Sequence, residues 1–378
     1  MNDHRNQTHA LLRMSMCKNV GPHVIFSLLD YFGSPDRALT APRAELAKVD
    51  GVPSDAVEGL VRGPAAGALS EELDLLEKHT VRLVPCFSDD YPKPLKELER
   101  GKPPLLRIKG TYEEQDSLCI ALVGSRRCSH YGRKQASRLA TQLASMGFTI
   151  ISGFARGIDA AAHRGALRAG GRTIAVMGCG LAHTYPKEHS DMVEEVASNG
   201  ALVSELPMDT PVMRSNFPPR NRLISGLSLG VVVVEAAKRS GSLITARWAA
   251  EHGKTVMAVP GNVDRTSSHG CHQLIRDGAI LVENARDVAE SLGPLSQPVK
   301  DPGTPDSEQE TREMDDPRVL SLNKRERRIF ELLGYSPRHI DSLVDETELP
   351  ASMVSSALLT LEVKGLITQL SGSRYVRA

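Results

Sequence analysis

Short apolar runs alternate with amphipathic stretches between residue 82 and about residue 290. Seven of these runs have the length of strands, and several are apolar throughout, as expected for strands that helices cover on both faces. The strands that we predict are Cys119–Val123, Phe148–Ser152, Thr173–Met177, Ala201–Ser204, Val231–Glu235, Thr255–Val259 and Ala279–Val282. Their alternation with helices predicts an α/β fold with a Rossmann-like, doubly wound, mainly parallel sheet.

A different pattern precedes residue 80, where apolar residues recur at steps of three and four. This spacing predicts short helices, separated by the glycine-containing turns Asn19–Pro22 and Asp50–Ser54. In both turns we expect the glycine to adopt a positive φ before the next helix begins. We interpret residues 1–80 as an all-α domain of the SAM-like or helix-hairpin-helix kind. Such turns hold DNA phosphate in some proteins, but the more common role is to pack helices together.

The chain changes character again after residue 292. Residues 293–317 contain five prolines, seven acidic and two basic residues, which predicts a disordered acidic linker. Residues 318–378 then contain three helical patterns, Arg325–Leu333, His339–Asp345 and Ala351–Val363, followed by two short β-rich runs. Three helices and a terminal hairpin predict a winged-helix domain. The sheet domain is therefore assigned to residues 81–292.

Composition restricts the partner and the compartment. The 46 Lys and Arg residues balance the 46 Asp and Glu residues, which excludes a uniformly basic coat but not a local basic surface. No apolar stretch is long enough to cross a membrane, and the N-terminus has no apolar segment of the signal-peptide kind. The six cysteines lie far apart without a C-x-x-C pair, so we expect no disulfide framework, no zinc ribbon and a reducing, cytoplasmic location.

Polar and basic residues follow two of the predicted strands at the point where each strand ends. Gly124, Ser125 and Arg126 come after the first strand, and Arg156 lies between two glycines after the second. Glycine permits close backbone approach, and a guanidinium matches the geometry of phosphate. Neighbouring strand ends of this kind would make an anion site, although one such arginine alone more often neutralises a helix end or an acidic neighbour.

The charges within the sheet domain are unevenly distributed. Residues 118–187 contain ten basic residues and one acid, and residues 210–255 contain seven basic residues and two acids. The run 213–222 in the second stretch combines three arginines, two asparagines and one phenylalanine. Phosphate-binding arginines beside a stacking ring suit a single-stranded nucleic acid. The candidate site residues in this run are Arg214, Phe217, Arg220, Asn221 and Arg222.

A further candidate site follows the strand Val231–Glu235. Lys238 precedes Ser240, Gly241 and Ser242, and we expect one of the two serines to cap a helix. A phosphate at this helix start would meet exposed N–H groups, the hydroxyls and the lysine. The serines are explained equally well if one of them only caps the helix and binds no phosphate.

Several enzyme motifs are present only in part. Gly178–Gly180 follows a strand but lacks the third glycine of a dinucleotide fingerprint, and Gly253–Thr255 lacks the first glycine of a P-loop. Asp159 and His163 share a helical face, which a helix pair explains more simply than acid–base catalysis. His269–His272 lacks the spacing of a metal site. We therefore expect no cofactor, no metal and no catalytic residue.

As a set, these motifs resemble the DNA-processing protein A (DprA/Smf) family. The resemblance rests on their order between residues 82 and 290, namely Gly124-Ser125-Arg126, Ser152–His163, Asn216–Arg222, Glu235-Ala236 with Ser240–Ser242, and Val259–Gly261. It extends to the flanking domains, because this family often carries a SAM-like domain before the sheet and a winged helix after it.

The resemblance implies a recombination mediator and not an enzyme. Members of the family bind incoming single-stranded DNA during natural transformation, protect it, and load a RecA-type recombinase in place of single-strand-binding protein. The family's DNA-binding role falls here on Arg126, Arg214, Arg220, Arg222, Ser240 and Ser242, with Phe217 as the base-contacting ring and Arg156 and Lys238 as further candidates. The resemblance also implies a homodimer formed through the sheet domain, which would place two sites on one strand.

Two other functions fit parts of the pattern. A phosphoribohydrolase-like nucleotide-processing enzyme would also bind phosphate at glycine-rich strand ends, but the chain lacks the P-G-G-x-G-T-x-x-E run of such enzymes. A winged-helix transcriptional regulator would need a basic recognition helix, whereas Ala351–Val363 has no basic residue. For the winged helix we expect partner binding or weak DNA contact.

Overall fold

The computed structural model describes residues 2–98, 101–293, 322–334 and 337–377. The helices are α1 (Asn2–Ser15), α2 (Pro22–Phe32), α3 (Pro35–Thr40), α4 (Arg43–Leu46), α5 (Ser54–Arg62), α6 (Ala68–Lys78), α7 (Lys93–Lys96), α8 (His130–Ser145), α9 (Ile158–Arg168), α10 (Ser190–Ser198), α11 (Phe217–Leu227), α12 (Ser242–Glu251), α13 (His269–Arg276), α14 (Ala285–Ser291), α15 (Lys324–Leu332), α16 (Ile340–Thr347) and α17 (Ala351–Val363). The strands are β1 (Val81–Pro85), β2 (Leu105–Gly110), β3 (Cys119–Gly124), β4 (Thr149–Ser152), β5 (Thr173–Val176), β6 (Gly200–Ser204), β7 (Gly230–Glu235), β8 (Thr255–Ala258), β9 (Ile280–Leu281), β10 (Arg338–His339), β11 (Ile367–Leu370) and β12 (Arg374–Arg377).

The chain divides into two compact units, residues 1–128 with 135–301 and residues 129–134 with 302–378. The acidic linker predicted at residues 293–317 lies outside the described residues except for Gly293. The predicted boundary at residue 80 does not separate two units, because the N-terminal helices and the sheet belong to the same one. Leu105 of β2 packs into the core of those helices together with residues such as Leu11 and Leu28.

The first unit is built around a nine-stranded sheet of order β1-β2-β6-β5-β4-β3-β7-β8-β9. The seven strands predicted from the sequence all occur, and neighbours among them pair in parallel. The sequence patterns missed β1 and β2, which pair antiparallel with each other and attach to β6. The prediction of a doubly wound, mainly parallel α/β sheet is confirmed.

Both faces of the sheet are covered by helices. Cys119, Ala121 and Val123 of β3 contribute to the core on one face, and the alternate residues Ile120 and Leu122 contribute to the core on the other. All five are buried, which explains why this strand is apolar throughout. The chain runs from β3 through β4 and β5 to β6 on one side, and then returns to place β7 on the other side of β3. The carboxyl ends of β3 and β7 therefore form the topological switch point of the sheet.

The prediction for the two N-terminal turns is wrong in one of them. Gly51 has the expected positive φ of 77°, but in the first turn the left-handed residue is Asn19, with φ 63°. Gly21 has φ −87° because it is the N-cap of α2 and precedes Pro22. Asparagine tolerates the left-handed conformation better than most residues, so the turn does not need its glycine for this purpose.

The second unit contains α15, α16 and α17 and a small sheet of order β10-β12-β11. The helices share a core with the sheet that includes Ile329, Leu343, Leu358 and Ile367. This arrangement confirms the predicted winged helix, with β10 as one additional two-residue strand. No helix among the described residues combines the length and apolar character needed to span a bilayer.

Candidate nucleic-acid interface

A cavity of about 470 Å³ opens at the switch point of the sheet. It lies between the ends of β3 and β7 and the first turns of α9, α11 and α12. Ten of the thirteen candidate site residues line it, namely Gly124, Ser125, Arg126, Arg214, Phe217, Arg220, Asn221, Ser240, Gly241 and Ser242. The structure therefore brings together three segments from a stretch of more than a hundred residues.

The loop after β3 forms the back of the cavity. The backbone N–H of Ser125 donates a hydrogen bond of 2.7 Å to the carbonyl of Glu235 at the end of β7. A Cβ atom on Gly124 would lie 2.9 Å from the same carbonyl oxygen and 2.6 Å from Ile158 Cγ1. Gly124 thus permits the close approach of β3, β7 and α9 that closes this side of the cavity.

Arg126 presents its guanidinium at the mouth of the cavity. Its side chain is exposed, and its guanidinium carbon lies 4.9 Å from the ring centroid of Phe217. The Phe217 ring also packs on Tyr185, with 5.6 Å between ring centroids, and a Cβ atom on Gly178 would lie 2.8 Å from it. Tyr185 and Gly178 therefore fix the Phe217 ring in place, and the ring holds the Arg126 guanidinium by a cation–π contact.

Arg220 also lies against the ring of Phe217 but is buried, with 4% of its surface exposed. Its guanidinium donates hydrogen bonds to the carbonyl of Gly153, at 2.9 Å, and to that of Val176. It thereby connects α11 to the ends of β4 and β5. Burial lowers the pKa of Arg220 to about 10, and Asp159 opposes this shift, so the side chain stays positive at neutral pH.

Among the described residues that line the cavity, Asp159 is the only acid, and it is buried beside Arg220. A Cβ atom on Gly153 would lie 2.7 Å from both Asp159 Oδ2 and Arg220 Nη2. Burial raises the pKa of Asp159, while Arg220 and the backbone N–H of Ala155 favour its ionised form. The exposed charges of the cavity are those of Arg126 and Arg214.

The start of α12 forms the opposite wall. The predicted serine cap is present only as a long contact: Gly241 is the N-cap, and Ser240 Oγ accepts a hydrogen bond of 3.4 Å from the backbone N–H of Ser242. The hydroxyls of Ser240 and Ser242 also bond to each other at 2.8 Å. Asn221 Nδ2 donates to the carbonyl of Gly241, which ties α12 to α11. The N–H groups of Leu243 and Ile244 donate to the carbonyls of Ser240 and Gly241, so this helix start would act on an anion through its dipole and the serine hydroxyls.

Three candidate residues lie outside the cavity. Arg156 forms an exposed ion pair with Glu188, so it neutralises an acidic neighbour. Arg222 is buried and forms a two-point ion pair with Glu205, at 2.5 and 2.6 Å. Lys238 is exposed in the loop between β7 and α12. The prediction that these three belong to one site with the other ten is not supported by their positions.

Asp159 and His163 do not form the helix pair that their spacing suggested. His163 is buried, and its Nδ1 bonds to Thr173 Oγ1 at 2.7 Å, whereas Asp159 is directed to Arg220. Within the part of the chain that the structure describes, no three His, Cys, Asp or Glu side chains could hold a metal ion.

The sequence patterns also missed residues that line the cavity. Thr245 is buried in α12, three residues after Ser242, and lines the same wall. That spacing places both hydroxyls on one helical face and would have identified Thr245. Pro218 and Ile224 of α11 line the cavity too, but apolar side chains of a helix give no signal that separates them from the core.

The chain is similar to known proteins over most of its length. A family model described as DNA recombination-mediator protein A matches residues 82–293, and one described as DprA winged helix domain matches residues 313–373. Protein Smf of Escherichia coli (strain K12) is 38% identical over 311 residues, which cover 82% of this chain and 81% of that protein. Protein Smf of Synechocystis is 33% identical over 391 residues, covering 97% of this chain and 98% of that protein.

Two solved structures are similar to this chain. DNA processing protein A (DprA) from Streptococcus pneumoniae has a TM-score of 0.64 and 34% identity, covering 74% of this chain and 94% of that one. DNA processing protein A from Helicobacter pylori, in a structure described for its unique single-stranded DNA binding mode, has a TM-score of 0.50 and 30% identity, covering 56% of this chain and 95% of that one. The family model covers more than half of the chain and the similarity to the Smf proteins extends over most of it, so the chain belongs to the DNA recombination-mediator protein A family.

Proposed function

We propose that this recombination mediator binds single-stranded DNA in the switch-point cavity and delivers it to a recombinase. The observation that carries the proposal is the charge arrangement of the cavity. Arg126 and Arg214 are exposed at its mouth, whereas Asp159, the one acid among the described lining residues, is buried beside Arg220. The N-terminus of α12 adds the positive end of its helix dipole and the hydroxyls of Ser240 and Ser242 to the same space. A phosphate group would meet positive charge and hydrogen-bond donors together.

The size of the cavity favours single-stranded over double-stranded DNA. A volume of about 470 Å³ is that of a small-molecule site, which accommodates a nucleotide but not a base-paired helix. Phe217 offers a ring beside the exposed Arg126, so a base can stack where its phosphate is bound. The Helicobacter pylori relative, whose structure is described for its single-stranded DNA binding mode, supports the same class of ligand.

We propose that the site acts by binding alone. Its hydroxyl groups, on Ser125, Ser240, Ser242 and Thr245, are the available nucleophiles, and no histidine or cysteine is among the described residues that line the cavity. A serine nucleophile needs an adjacent base, and the buried Asp159 carboxylate is held by Arg220 and the N–H of Ala155. Incubation with nucleoside monophosphates is expected to release no free base by chromatography. If free base is released and Arg126→Ala abolishes that release, the phosphoribohydrolase alternative is favoured.

The partners proposed for this chain follow from its family. We propose a RecA-type recombinase as the recipient of the DNA, single-strand-binding protein as the protein displaced, and natural transformation or repair as the setting. We also propose a homodimer and a cytoplasmic location, in which the six free cysteines stay reduced.

The test is the strand preference of the full chain. Fluorescence anisotropy with labelled oligo-dT and with a matched duplex is expected to show tighter binding of the single strand. A purified RecA-type recombinase should then assemble faster on oligo-dT coated with single-strand-binding protein when this chain is present. Equal affinity for both forms of DNA would contradict the proposal.

A further inference from the structure

The charges of the winged-helix unit are separated between two of its helices. Residues 322–377 contain eight basic and seven acidic residues, so their sum is close to zero. Four of the eight basic residues lie in the first turns of α15, at Lys324, Arg325, Arg327 and Arg328. Four of the seven acidic residues lie between residues 341 and 348, on and just after α16. One helix thus presents a basic surface although the unit as a whole is nearly neutral.

The basic side chains of α15 are exposed, and three of them make no contact that accounts for them. Lys324, Arg325 and Arg328 have no side-chain hydrogen bond or ion pair to any described residue. Glu326, the acid in their midst, is directed elsewhere, because its carboxylate accepts hydrogen bonds from Asn323 and from Lys364. Glu326 is therefore used in the helix cap, and among the described residues neither it nor Glu331 is paired with Lys324, Arg325 or Arg328.

The position of these cations opposes the stability of their own helix. Asn323 is the N-cap and accepts hydrogen bonds from the backbone N–H groups of Arg325 and Glu326. Lys324 and Arg325 therefore lie in the first turn, where the helix dipole is positive and favours acids over bases. Neither helix stability nor an ion pair among the described residues explains the basic surface, which leaves contact with an external anion.

The helix that usually reads DNA in a winged helix is unsuited to that role here. The exposed residues of α17 include Ser352, Met353, Ser356 and Leu359, and its only charged residue is Glu362. It has no positively charged side chain that could bind a phosphate, and no arginine or lysine that could donate hydrogen bonds to a base edge. Any nucleic-acid contact of this unit has to use another surface.

We infer that the winged-helix unit binds the nucleic-acid backbone through the basic surface of α15, independently of base sequence. Lys324 and Arg328 are four residues apart on one face, which separates them by about 6 Å along the axis and suits successive charges of a polyanion. The exposed residues of α15 are almost all charged, whereas a surface for an acidic peptide needs an apolar centre. This contact is separate from the cavity of the proposed function and would add a second attachment to the same strand.

The experiment compares two triple variants of the full chain with the same change in net charge. Lys324→Gln/Arg325→Gln/Arg328→Gln removes the basic surface of α15. The control Arg37→Gln/Arg62→Gln/Lys78→Gln removes three exposed cations from α3, α5 and α6. Binding is measured over a salt series with oligo-dT of about 10 nucleotides, which suffices for one cavity, and of about 60 nucleotides, which reaches both surfaces.

The α15 variant is expected to bind the long oligonucleotide about tenfold more weakly and with a salt slope shallower by about 2, from about 0.7 for each lost phosphate contact. Binding of the short oligonucleotide should not change. The inference is overturned if the variant and the control bind the long oligonucleotide alike, in which case an acidic protein becomes the partner to test. Failure of the proposed function would give a different result. In that case Arg126→Ala would leave the binding of the short oligonucleotide unchanged.

Loss of folding is separated from loss of contact by two further measurements. The thermal midpoint of the α15 variant should not fall, because Lys324 and Arg325 oppose the helix dipole and Arg328 is an exposed side chain beyond the first turn. Arg328→Glu changes a single exposed residue beyond the first turn and is expected to weaken long-oligonucleotide binding alone. Unchanged binding by Arg328→Glu would count against the basic surface of α15 as the contact.

Discussion

Phe217 contacts two guanidinium groups whose burial differs, and this difference assigns them different roles. Arg126 is exposed at the mouth of the cavity, whereas Arg220 is buried and donates to the carbonyls of Gly153 and Val176. An arginine occupied by backbone carbonyls has few donors left for phosphate. Arg220 therefore positions Phe217 and the strand ends, and Arg126 is the group that we propose to contact the DNA.

Alanine substitutions should separate these two roles. Arg220→Ala leaves two buried carbonyls without their donor and the buried Asp159 without its neighbouring positive charge, and is expected to lower the free energy of unfolding by about 3 kcal/mol. Arg126→Ala removes an exposed side chain and should change it by less than about 0.5 kcal/mol. Urea denaturation measures both values. Similar losses of stability in the two variants would contradict this assignment.

His163 should make the stability of the first unit depend on pH. Thr173 donates its hydroxyl to the carbonyl of Ile150, so it accepts from His163 Nδ1, and burial lowers the pKa of His163 to about 3. Its pKa in the unfolded chain is about 6.5. Between these values the unfolded chain binds the proton more readily, so stability falls as the pH falls.

The substitution His163→Asn retains an amide donor for Thr173 and removes the titrating group. Between pH 6 and pH 4 it is expected to reduce the dependence of the unfolding free energy on pH by up to about 1.4 kcal/mol per pH unit. Urea denaturation of both proteins over that range provides the comparison. Parallel curves for the two proteins would show that His163 does not titrate in this way.

At the level of elements, the junction of β3 with α9 depends on a glycine. Gly157 has φ +80°, and a Cβ atom there would lie 2.3 Å from the carbonyl oxygen of Ser125. Gly170, at the end of α9, has φ +64° with nothing within 4 Å, so it serves as a matched control. Gly170→Ala is expected to cost about 1 kcal/mol from backbone strain alone.

Gly157→Ala should cost at least about 1 kcal/mol more than the control, because the loop must move to relieve the contact. The same movement displaces Ser125 and Arg126, so binding of oligo-dT should weaken in this variant only. Denaturation and anisotropy measured on both variants check the two effects. Equal costs for the two glycines would mean that the junction is not tightly packed.

Seven strands of the sheet could be predicted because most of them are buried on both faces, which leaves apolar runs in the sequence. β2 could not be predicted, because Arg107 lies within it, fully buried and bonded to Glu72 at 2.5 Å. A charged residue in a short run looks exposed until its partner is known. The first turn was mispredicted for a similar local reason, since Asn19 adopts the conformation that was expected of Gly21.

The candidate site could be predicted as a set of strand ends and helix starts, because parallel strands bring these segments to one edge. The different roles of the arginines within the site could not be predicted. Whether an arginine is exposed or buried depends on distant carbonyls, such as Val176 for Arg220, and on distant acids, such as Glu205 for Arg222. Neither partner lies close in sequence to the arginine that it binds.

At the scale of the whole molecule, the edge of the sheet is where we expect the two chains of the proposed homodimer to meet. β9 is an edge strand, and its two residues Ile280 and Leu281 are 42% and 46% exposed. Exposed apolar edges are typical of association surfaces. Light scattering of the wild-type protein is expected to give twice the mass of one chain, and Leu281→Arg the mass of one.

The control for this prediction is Val61→Arg, which places the same charge at an exposed apolar residue of α5. It should remain a dimer. The monomeric Leu281→Arg variant should also bind long oligo-dT more weakly, because the second site no longer benefits from a high effective concentration. A wild-type protein of single-chain mass would contradict the dimer.

Arg126 contacts the DNA backbone in the proposed complex, and the salt dependence of binding provides the sharpest test of this contact. Arg127 is the matched control, because it is the next residue, is also exposed and does not line the cavity. With short oligo-dT, Arg126→Ala should reduce the slope of log K against log salt by about 0.7, the contribution of one phosphate contact. Arg127→Ala should leave the slope unchanged. Equal slopes in wild type and Arg126→Ala, or the same loss in both variants, would contradict the account.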